Sequence, residues 1–401
     1  MNVFDLLLLA FKGVAIASLP IAVVWVGRAS KSGGDRLRRL AWVTAFLTFD
    51  LIVFGGFTRL TDSGLGCPDW PGCYAKANPF MAAPDIRGAE AAMPSGPVTM
   101  GKAWIEMIHR YLAMAVGVLI ITMLVLSLKR RWDARRAGAV QSRPAYPGLA
   151  AGLLLLVMLQ GAFGAWTVTQ KLQPIFVTAH LLLGMALLAF LVLHGLRLEG
   201  RQPQSPRAAQ RRPGLAAVRL LAAAALAVLV MQIALGGWVS ANYAVLACTD
   251  FPTCQGVWLP AMDFTNGFHL WRALGKTADG GYLTVAALTA IHWVHRNFAL
   301  LVFVVLGTVA WKIRQIDGLA TTARILAALL IGQLVTGLVN VVFAWPLVAA
   351  VLHNAGAAGL VATLVVINYR LPGQYRTAQA AAATVAGTGP SSLPHFGRSA
   401  S

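Results

Sequence analysis

The sequence predicts an all-α, polytopic membrane protein made of two pseudo-symmetric four-helix bundles and one extra N-terminal transmembrane helix. The first observation is composition: 58% of the residues are hydrophobic and only 12% are charged, and the mean hydropathy is positive. A soluble chain of this length is rarely so apolar. The other two observations are a series of long apolar runs and an internal repeat.

The apolar runs are each long enough to cross a hydrocarbon core, which takes about 20 helical residues. They cover 3–27, 41–60, 103–128, 148–168, 175–196, 215–239, 284–311, 323–344 and 347–368. The first run could be a signal peptide. Its length, the interruption by Lys12 and the lack of a small-residue cleavage site favour a retained helix instead.

The net charge of +19 raises the question of nucleic-acid binding, but the basic residues are dispersed among short loops. They are Arg28, Lys31, Arg36, Arg38 and Arg39 before the second run, with further groups in 129–143 and 197–212. By the positive-inside rule these segments are cytoplasmic. The loops 61–102 and 240–283 are then periplasmic, and the C-terminus is cytoplasmic. We expect a protein of the bacterial inner membrane that binds no nucleic acid.

An internal repeat divides the chain. The segment GGFTRLTDSGLGCPDWPGC, residues 55–73, matches GGWVSANYAVLACTDFPTC, residues 236–254, without a gap. Further on, EMIHRYLA (106–113) parallels HWVHRNFA (292–299), and QGAFG (160–164) parallels QLVTG (333–337). The predicted units are 1–40, an extra helix and basic linker; 41–196 and 215–368, two four-helix halves; and 369–401, a disordered tail. Four crossings separate equivalent helices, which predicts an approximate two-fold axis along the membrane normal.

Four histidines are predicted at similar depth in membrane helices: His109, His180, His295 and His353. An ionisable residue inside a membrane helix is costly and is therefore a candidate functional residue. Two imidazoles on neighbouring helices can supply both axial ligands of a heme iron, and apolar bundle walls suit the macrocycle. The sequence predicts one heme site at His109 and His180 and another at His295 and His353.

Three alternatives to heme ligation compete for these histidines. A lone membrane histidine could equally be a hydrogen-bonded core residue. Zinc takes three or four clustered ligands, which neither half supplies without its cysteines. A proton relay would not predict the same pairing in both halves. Of the other histidines, His194 lies roughly 21 Å beyond His180 along the helix and is not expected to be a ligand. His269 lies in a loop, and His292 stays an alternative ligand in the second half.

Glu106 distinguishes the two halves, because the equivalent position holds His292. It precedes His109 by one helical turn and so shares its face. A carboxylate beside a heme can act as a general acid or base, which makes Glu106 the predicted catalytic residue. An ion pair with Arg110 or Lys102 is the structural alternative.

Three arginines are candidates for contacting heme propionates: Arg59, Arg110 and Arg296. A planar guanidinium suits a carboxylate. Snorkelling to the membrane interface is the equally open alternative.

The four cysteines occur in equivalent loops with identical spacing, as Cys67 with Cys73 and Cys248 with Cys254. An oxidising compartment favours two local disulfides. A structural staple is favoured over a redox role because the spacing is not that of tuned thiol oxidoreductases.

The motifs GGFTRLTDSGLGCPDWPGC, EMIHR, VTAHLLLG and HWVHR resemble those of the heme A synthase family over about residues 41–370. The resemblance implies an oxidoreductase that converts a ring methyl of heme O to the formyl group of heme A for cytochrome oxidase assembly. It implies that His295 and His353 hold a heme b cofactor, that His109 and His180 hold heme O, and that Glu106 assists catalysis. The implied partners are heme O synthase and an electron-transfer protein, and a homo-oligomer is compatible with the sequence. The first helix has no counterpart in the family's eight-helix pattern.

Two other functional classes compete with this interpretation. A di-heme b-type electron carrier would use the same histidines but leaves Glu106 unexplained. A periplasmic-facing thiol oxidoreductase would use the cysteine pairs but does not need membrane histidines.

Overall fold

The structure is a computed structural model that describes residues 1–26, 33–138, 145–200 and 214–371, and this part of the chain is nearly all helical, without strands. The long helices in it are α1 (Val3–Val26), α2 (Gly33–Leu60), α4 (Met100–Arg136), α5 (Pro147–Thr169), α6 (Pro174–Glu199), α7 (Leu215–Ala241), α9 (Val285–Ile313), α10 (Ala320–Val342) and α11 (Leu347–Arg370). Two short helices, α3 (Ala83–Ala92) and α8 (Phe264–Gly267), lie in the two cysteine loops.

Nine helices of the described residues are long and apolar enough to cross a membrane, as the apolar runs predict. The protein is therefore an all-α, multi-pass membrane protein. The runs underestimate two helices, because α2 already begins at Gly33 and α4 continues to Arg136. Arg36, Arg38, Arg39 and residues 129–136 are thus helical rather than in loops. Arginine and lysine favour helix, so a helix can continue past the apolar stretch into the basic segment.

Some predictions fall on residues that the structure does not describe. They concern Arg28 and Lys31, the basic segments 139–144 and 201–213, and the tail from residue 372 onwards.

The same helix pairs are in contact in each half. In the first half α2 and α5 both pack on α4 and α6, and in the second half α7 and α10 both pack on α9 and α11. The halves meet where α6 contacts α11 and α7, and where α11 contacts α2. The helices α6 and α11 are therefore central. The two-fold axis and the division into domains stay predictions.

Glycines allow the halves to approach closely. A Cβ atom on Gly56 would lie 2.5 Å from Nδ2 of Asn354, and one on Gly237 would lie 3.0 Å from Cδ2 of Leu181. The side chain of Asn354 also donates to the carbonyl of Ile52 at 3.0 Å. Because lipid is as apolar as leucine, membrane helices associate through close packing and interhelical hydrogen bonds. The second glycine of each Gly-Gly pair serves this junction.

The extra helix α1 packs against α2 and α4 and contacts the first cysteine loop. The buried carboxylate of Asp5 accepts a hydrogen bond from the backbone N–H of Ala77 at 3.0 Å. Lys12 donates to the carbonyl of Ala77 at 3.1 Å and lies 3.3 Å from the hydroxyl of Tyr111. The chain therefore begins on the same side of the bundle as this loop.

Candidate functional site

The four predicted histidines lie on α4, α6, α9 and α11, each within the first three turns of its helix. Each of the four histidines is half-buried and keeps a partly accessible surface, while Nδ1 of His109 and of His180 is buried.

The histidines form two pairs. His109 and His180 are close enough for a positive charge on one imidazole to act on the other, and the same is true of His295 and His353. These are the two pairs that the repeat predicts. Within the described part of the chain, no three histidine, cysteine, aspartate or glutamate residues group as metal ligands, so the zinc alternative gains no ligand set there. A donor set of two imidazoles in an apolar bundle fits a heme.

Each imidazole rests against a glycine of the preceding membrane helix. A Cβ atom on Gly55 would lie 3.0 Å from Cε1 of His109, and one on Gly236 would lie 3.0 Å from Cε1 of His295. The corresponding distances are 3.1 Å from Gly164 to His180 and 3.5 Å from Gly337 to His353. At Gly55, Gly164 and Gly236 a side chain would therefore press against the imidazole ring, whereas the distance at Gly337 is an ordinary van der Waals contact. These glycines had no role in the sequence interpretation, although their recurrence in both repeat copies was a signal for one.

The histidine Nδ1 atoms of the second half have polar neighbours. The Gln232 amide nitrogen lies 3.2 Å from Nδ1 of His295, and the Thr336 hydroxyl oxygen lies 2.9 Å from Nδ1 of His353. In the first half, Nδ1 of His109 and of His180 are buried and have no hydrogen-bond partner among the described residues. Sequence reasoning missed Gln232 and Thr336 because the first copy of the repeat has different residues, Leu51 and Phe163, at the equivalent positions.

Glu106 is buried and its orientation is fixed by two donors. The backbone N–H of Cys67 donates to its Oε2 at 2.7 Å, and the guanidinium of Arg110 donates to its Oε1. The structural alternative of an ion pair with Arg110 is therefore present. This pair does not exclude catalysis, because the carboxylate lies one turn from His109 and is held in place.

Arg110 also holds the first disulfide loop. Its Nη1 donates to the carbonyls of Asp69, Pro71 and Gly72 at 2.9, 3.3 and 2.5 Å. To contact a propionate, Arg110 would have to exchange these partners.

The equivalent Arg296 is less engaged. Its Nη2 donates to the carbonyls of Pro252 and Thr253 at 3.4 and 3.1 Å, whereas its buried Nη1 has no partner in the described residues. This unpaired donor fits a propionate of a heme in the second half. His292, at the position equivalent to Glu106, is buried.

Arg59 connects the two halves on the loop side. It donates to the carbonyl of Ser240 at 2.6 Å and to the carboxylate of Asp62 at 3.1 Å. Its guanidinium lies 4.1 Å from the ring centroid of Tyr243. A role with a propionate stays a prediction for this residue.

The cysteines form the two predicted local disulfides, Cys67 with Cys73 and Cys248 with Cys254. All four side chains are buried, so a thiol partner has no access to the sulfurs. The loop carboxylate of Asp250 accepts backbone N–H bonds from Gln255 and Gly256. The Thr253 hydroxyl and these backbone groups lower its pKa to about 2. The ordered loops favour a structural staple over a redox role.

Two other histidines of the described residues are not part of either pair. His194 is buried on α6 without a partner for either ring nitrogen among the described residues, and His269 is exposed in its loop.

Fold and site together define the class: a polytopic helical membrane protein with two half-buried imidazole pairs and two disulfide-stapled loops. The family model of the COX15-CtaA cytochrome oxidase assembly proteins matches residues 38–365. The chain belongs to this family. The match begins after α1.

Curated relatives with the name heme A synthase match over most of their length. The protein of Shewanella oneidensis is 38% identical over 337 residues, covering 83% of this chain and 97% of the relative. The protein of Caulobacter sp. strain K31 is 31% identical, covering 84% and 97%. The protein of Methylobacterium radiotolerans is 30% identical, covering 87% and 95%.

Proposed function

We propose that this chain converts heme O to heme A by oxidising one ring methyl of the porphyrin to a formyl group. The observation that carries the proposal is the presence of two half-buried imidazole pairs, each ring lying against a glycine, in a chain that is 38% identical to a heme A synthase. The reaction runs through two successive hydroxylations of the methyl group, followed by loss of water from the geminal diol. With water as the source of oxygen, the net change is CH3 + H2O → CHO + 4 H⁺ + 4 e⁻, and the four electrons pass to the electron-transfer partner.

The two pairs have different roles in this proposal. His109 and His180 bind the iron of the substrate heme O, while His295 and His353 bind a resident heme b. Two features support this order: Glu106 occurs only in the first half, and Arg296 has an unpaired Nη1 for a propionate in the second. When bound, heme b supplies reversible one-electron chemistry.

The protein's contribution is selection of a single methyl group by orientation. Gly55 and Gly164 lie against the rings of the first pair. A Cβ atom on these glycines would be 3.0 Å from Cε1 of His109 and 3.1 Å from Cε1 of His180, so the glycine backbone limits the position of each ring. Ligation through the iron would fix the plane of the porphyrin, and contacts at its rim would fix which edge faces Glu106, which turns a choice among several C–H bonds into a positional one. Arg110 and the Cys67 N–H hold the carboxylate so that it can take up or deliver a proton at that edge.

The surroundings complete the proposal. The cysteine loops face the periplasm and the C-terminus faces the cytoplasm of a bacterial inner membrane. Heme O arrives from heme O synthase, and a membrane electron-transfer partner accepts electrons.

The test is pigment analysis in cells that contain heme O synthase but lack their own heme A synthase. With this gene we expect heme A; with His109→Ala or His180→Ala we expect heme O to accumulate. His269→Ala, an exposed loop histidine, is the control and should behave as wild type. If wild-type protein is present in the membrane but heme A is absent, the enzyme proposal fails and a di-heme carrier explains the histidine pairs.

A further inference from the structure

The two heme-binding halves differ in how their histidines are held, and the difference is clearest between His180 and His353. These residues are equivalent in the repeat, and both follow a matched glutamine, Gln160 and Gln333. The glutamine side chains act differently. Gln333 donates to the backbone carbonyl of His353 at 2.9 Å, whereas the amide nitrogen of Gln160 lies 3.4 Å from the ring Nε2 of His180.

Thr336 determines which nitrogen of His353 carries the proton. Its hydroxyl oxygen lies 2.7 Å from the carbonyl of Gly332, one turn earlier, and donates its single proton there. At 2.9 Å from Nδ1 of His353 the same oxygen can then only accept. The proton of the imidazole therefore belongs on Nδ1, as the hydrogen-bond network assigns it. Nε2 keeps its lone pair, which is the form that a metal ligand needs.

His180 has no such partner. The position equivalent to Thr336 is Phe163, whose ring packs against Trp166 and Phe176 with centroids 4.9 and 6.2 Å apart. A phenyl ring cannot accept the imidazole proton as a hydroxyl does, and Nδ1 of His180 is buried without a partner in the described chain. The Gln160 amide instead approaches the nitrogen that would bind iron. It must move away whenever that nitrogen is ligated.

The other ligand of each pair also has a polar neighbour in the second half only, but this neighbour is a donor and not an acceptor like Thr336, because the amide nitrogen of Gln232 can only donate to Nδ1 of His295. The side chain of Gln232 contacts both Nδ1 and the carbonyl of His295, each at 3.2 Å. The equivalent residue in the first half is Leu51, and Nδ1 of His109 has no partner among the described residues.

We propose that Thr336 is a positioning residue that keeps His353 ready for iron and makes the second site retain its heme, and that Phe163 at the matching position leaves the first site exchangeable. The inference rests on the proposed function, in which one heme is a resident cofactor and the other must enter and leave. Partners of this kind typically change metal affinity about 10- to 100-fold.

The experiment uses the purified, heme-b-loaded full chain and measures the rate at which heme is lost to excess apomyoglobin, together with the optical spectrum and the midpoint potential. Thr336→Val removes the hydroxyl at nearly constant volume. We expect heme loss about ten-fold faster or more, and a more positive potential, because an imidazole without an acceptor at Nδ1 is a weaker donor. Thr336→Ser restores the hydroxyl and should restore both values.

Thr363→Val is the matched control. Thr363 is buried on α11 and donates to the carbonyl of Gly359, one turn earlier, at 2.8 Å. It makes the same helix contact as Thr336 but has no hydrogen bond to a histidine among the described residues. Its loss should leave heme release and potential unchanged. Equal rates and potentials for wild type and Thr336→Val would overturn the assignment of Thr336, as would equal effects of the two valine variants.

Phe163→Thr places the threonine in the first half and tests the same claim there. It provides a test even if the Thr336→Val protein does not accumulate. Protein isolated from cells with heme O synthase should then retain more heme O at the first site than wild type. Unchanged retention overturns the role of Phe163. Failure of the proposed function gives a different result from failure of this inference. If heme b stays bound in both His295→Ala and His353→Ala, the cofactor assignment itself is wrong. If heme b is lost in these two variants but Thr336→Val has no effect, only the inference is refuted.

Discussion

The glycines that lie against the two imidazoles of the second half, Gly236 and Gly337, predict a graded loss of heme b when either is replaced by alanine. In Gly236→Ala the new Cβ would lie 3.0 Å from Cε1 of His295, whereas in Gly337→Ala it would lie 3.5 Å from Cε1 of His353. Carbon atoms in good contact are about 3.5–4.0 Å apart. The first substitution therefore displaces the ring of His295 by a few tenths of an ångström, while the second requires almost no movement.

The cost follows from overpacking, which is typically 1–3 kcal/mol, or about 5- to 150-fold in affinity. We expect Gly236→Ala to lose heme b affinity within this range and Gly337→Ala to stay within about three-fold of wild type. Gly307→Ala, on the same helix as His295 but 4.0 Å from its nearest neighbour, is the control.

The assay is an optical titration of the heme-free full chain with heme b. A smaller effect of Gly236→Ala than of Gly337→Ala would refute the reasoning, because the order follows directly from the two distances.

Four further predictions concern the surroundings of the sites. Glu106→Gln should leave heme bound, as seen in the optical spectrum, but abolish heme A in pigment extracts; full heme A production would rule out a catalytic role. Replacing Cys67 and Cys73 by serine should lower the free energy of unfolding by about 2 kcal/mol, the entropy of closing so short a loop, and an unchanged thermal transition would argue against a staple. Lys12→Met should loosen the first cysteine loop, because Lys12 contacts the carbonyl of Ala77 and the hydroxyl of Tyr111. We expect faster proteolysis of that loop, and an unchanged cleavage rate would contradict the prediction. Hydrogen bonds lower the pKa of Asp250 to about 2 from 3.8, so its stabilisation is present above pH 3.8 and lost as the pH falls toward 2. The ratio of the pepsin cleavage rate of wild type to that of Asp250→Asn, in which the pH dependence of pepsin cancels, should rise over this window; a constant ratio would contradict the prediction.

Much of the fold follows from apolar run length, because in lipid every backbone group must be bonded within its own helix. The ends of α2 and α4 do not follow, since basic residues continue a helix after the hydropathy has fallen. The repeat located the four histidines and both disulfides because gap-free matching brings equivalent residues into register.

The details that separate the two halves were beyond sequence reasoning. Thr336 and Phe163 stand at one position of the motif that QGAFG and QLVTG share, yet only the contact with His353 shows that the threonine side chain has a partner there. The engagement of Arg110 with three loop carbonyls depends likewise on the folded loop, which residue type alone does not specify.

The most direct test of the central claim is the low-temperature optical and electron paramagnetic resonance spectrum of the purified protein carrying single histidine substitutions. We predict a low-spin heme b signal in wild type that is lost in His295→Ala and in His353→Ala but persists in His109→Ala and His194→Ala. A low-spin heme b spectrum that survives removal of either His295 or His353 would contradict the claim that these two imidazoles share one iron.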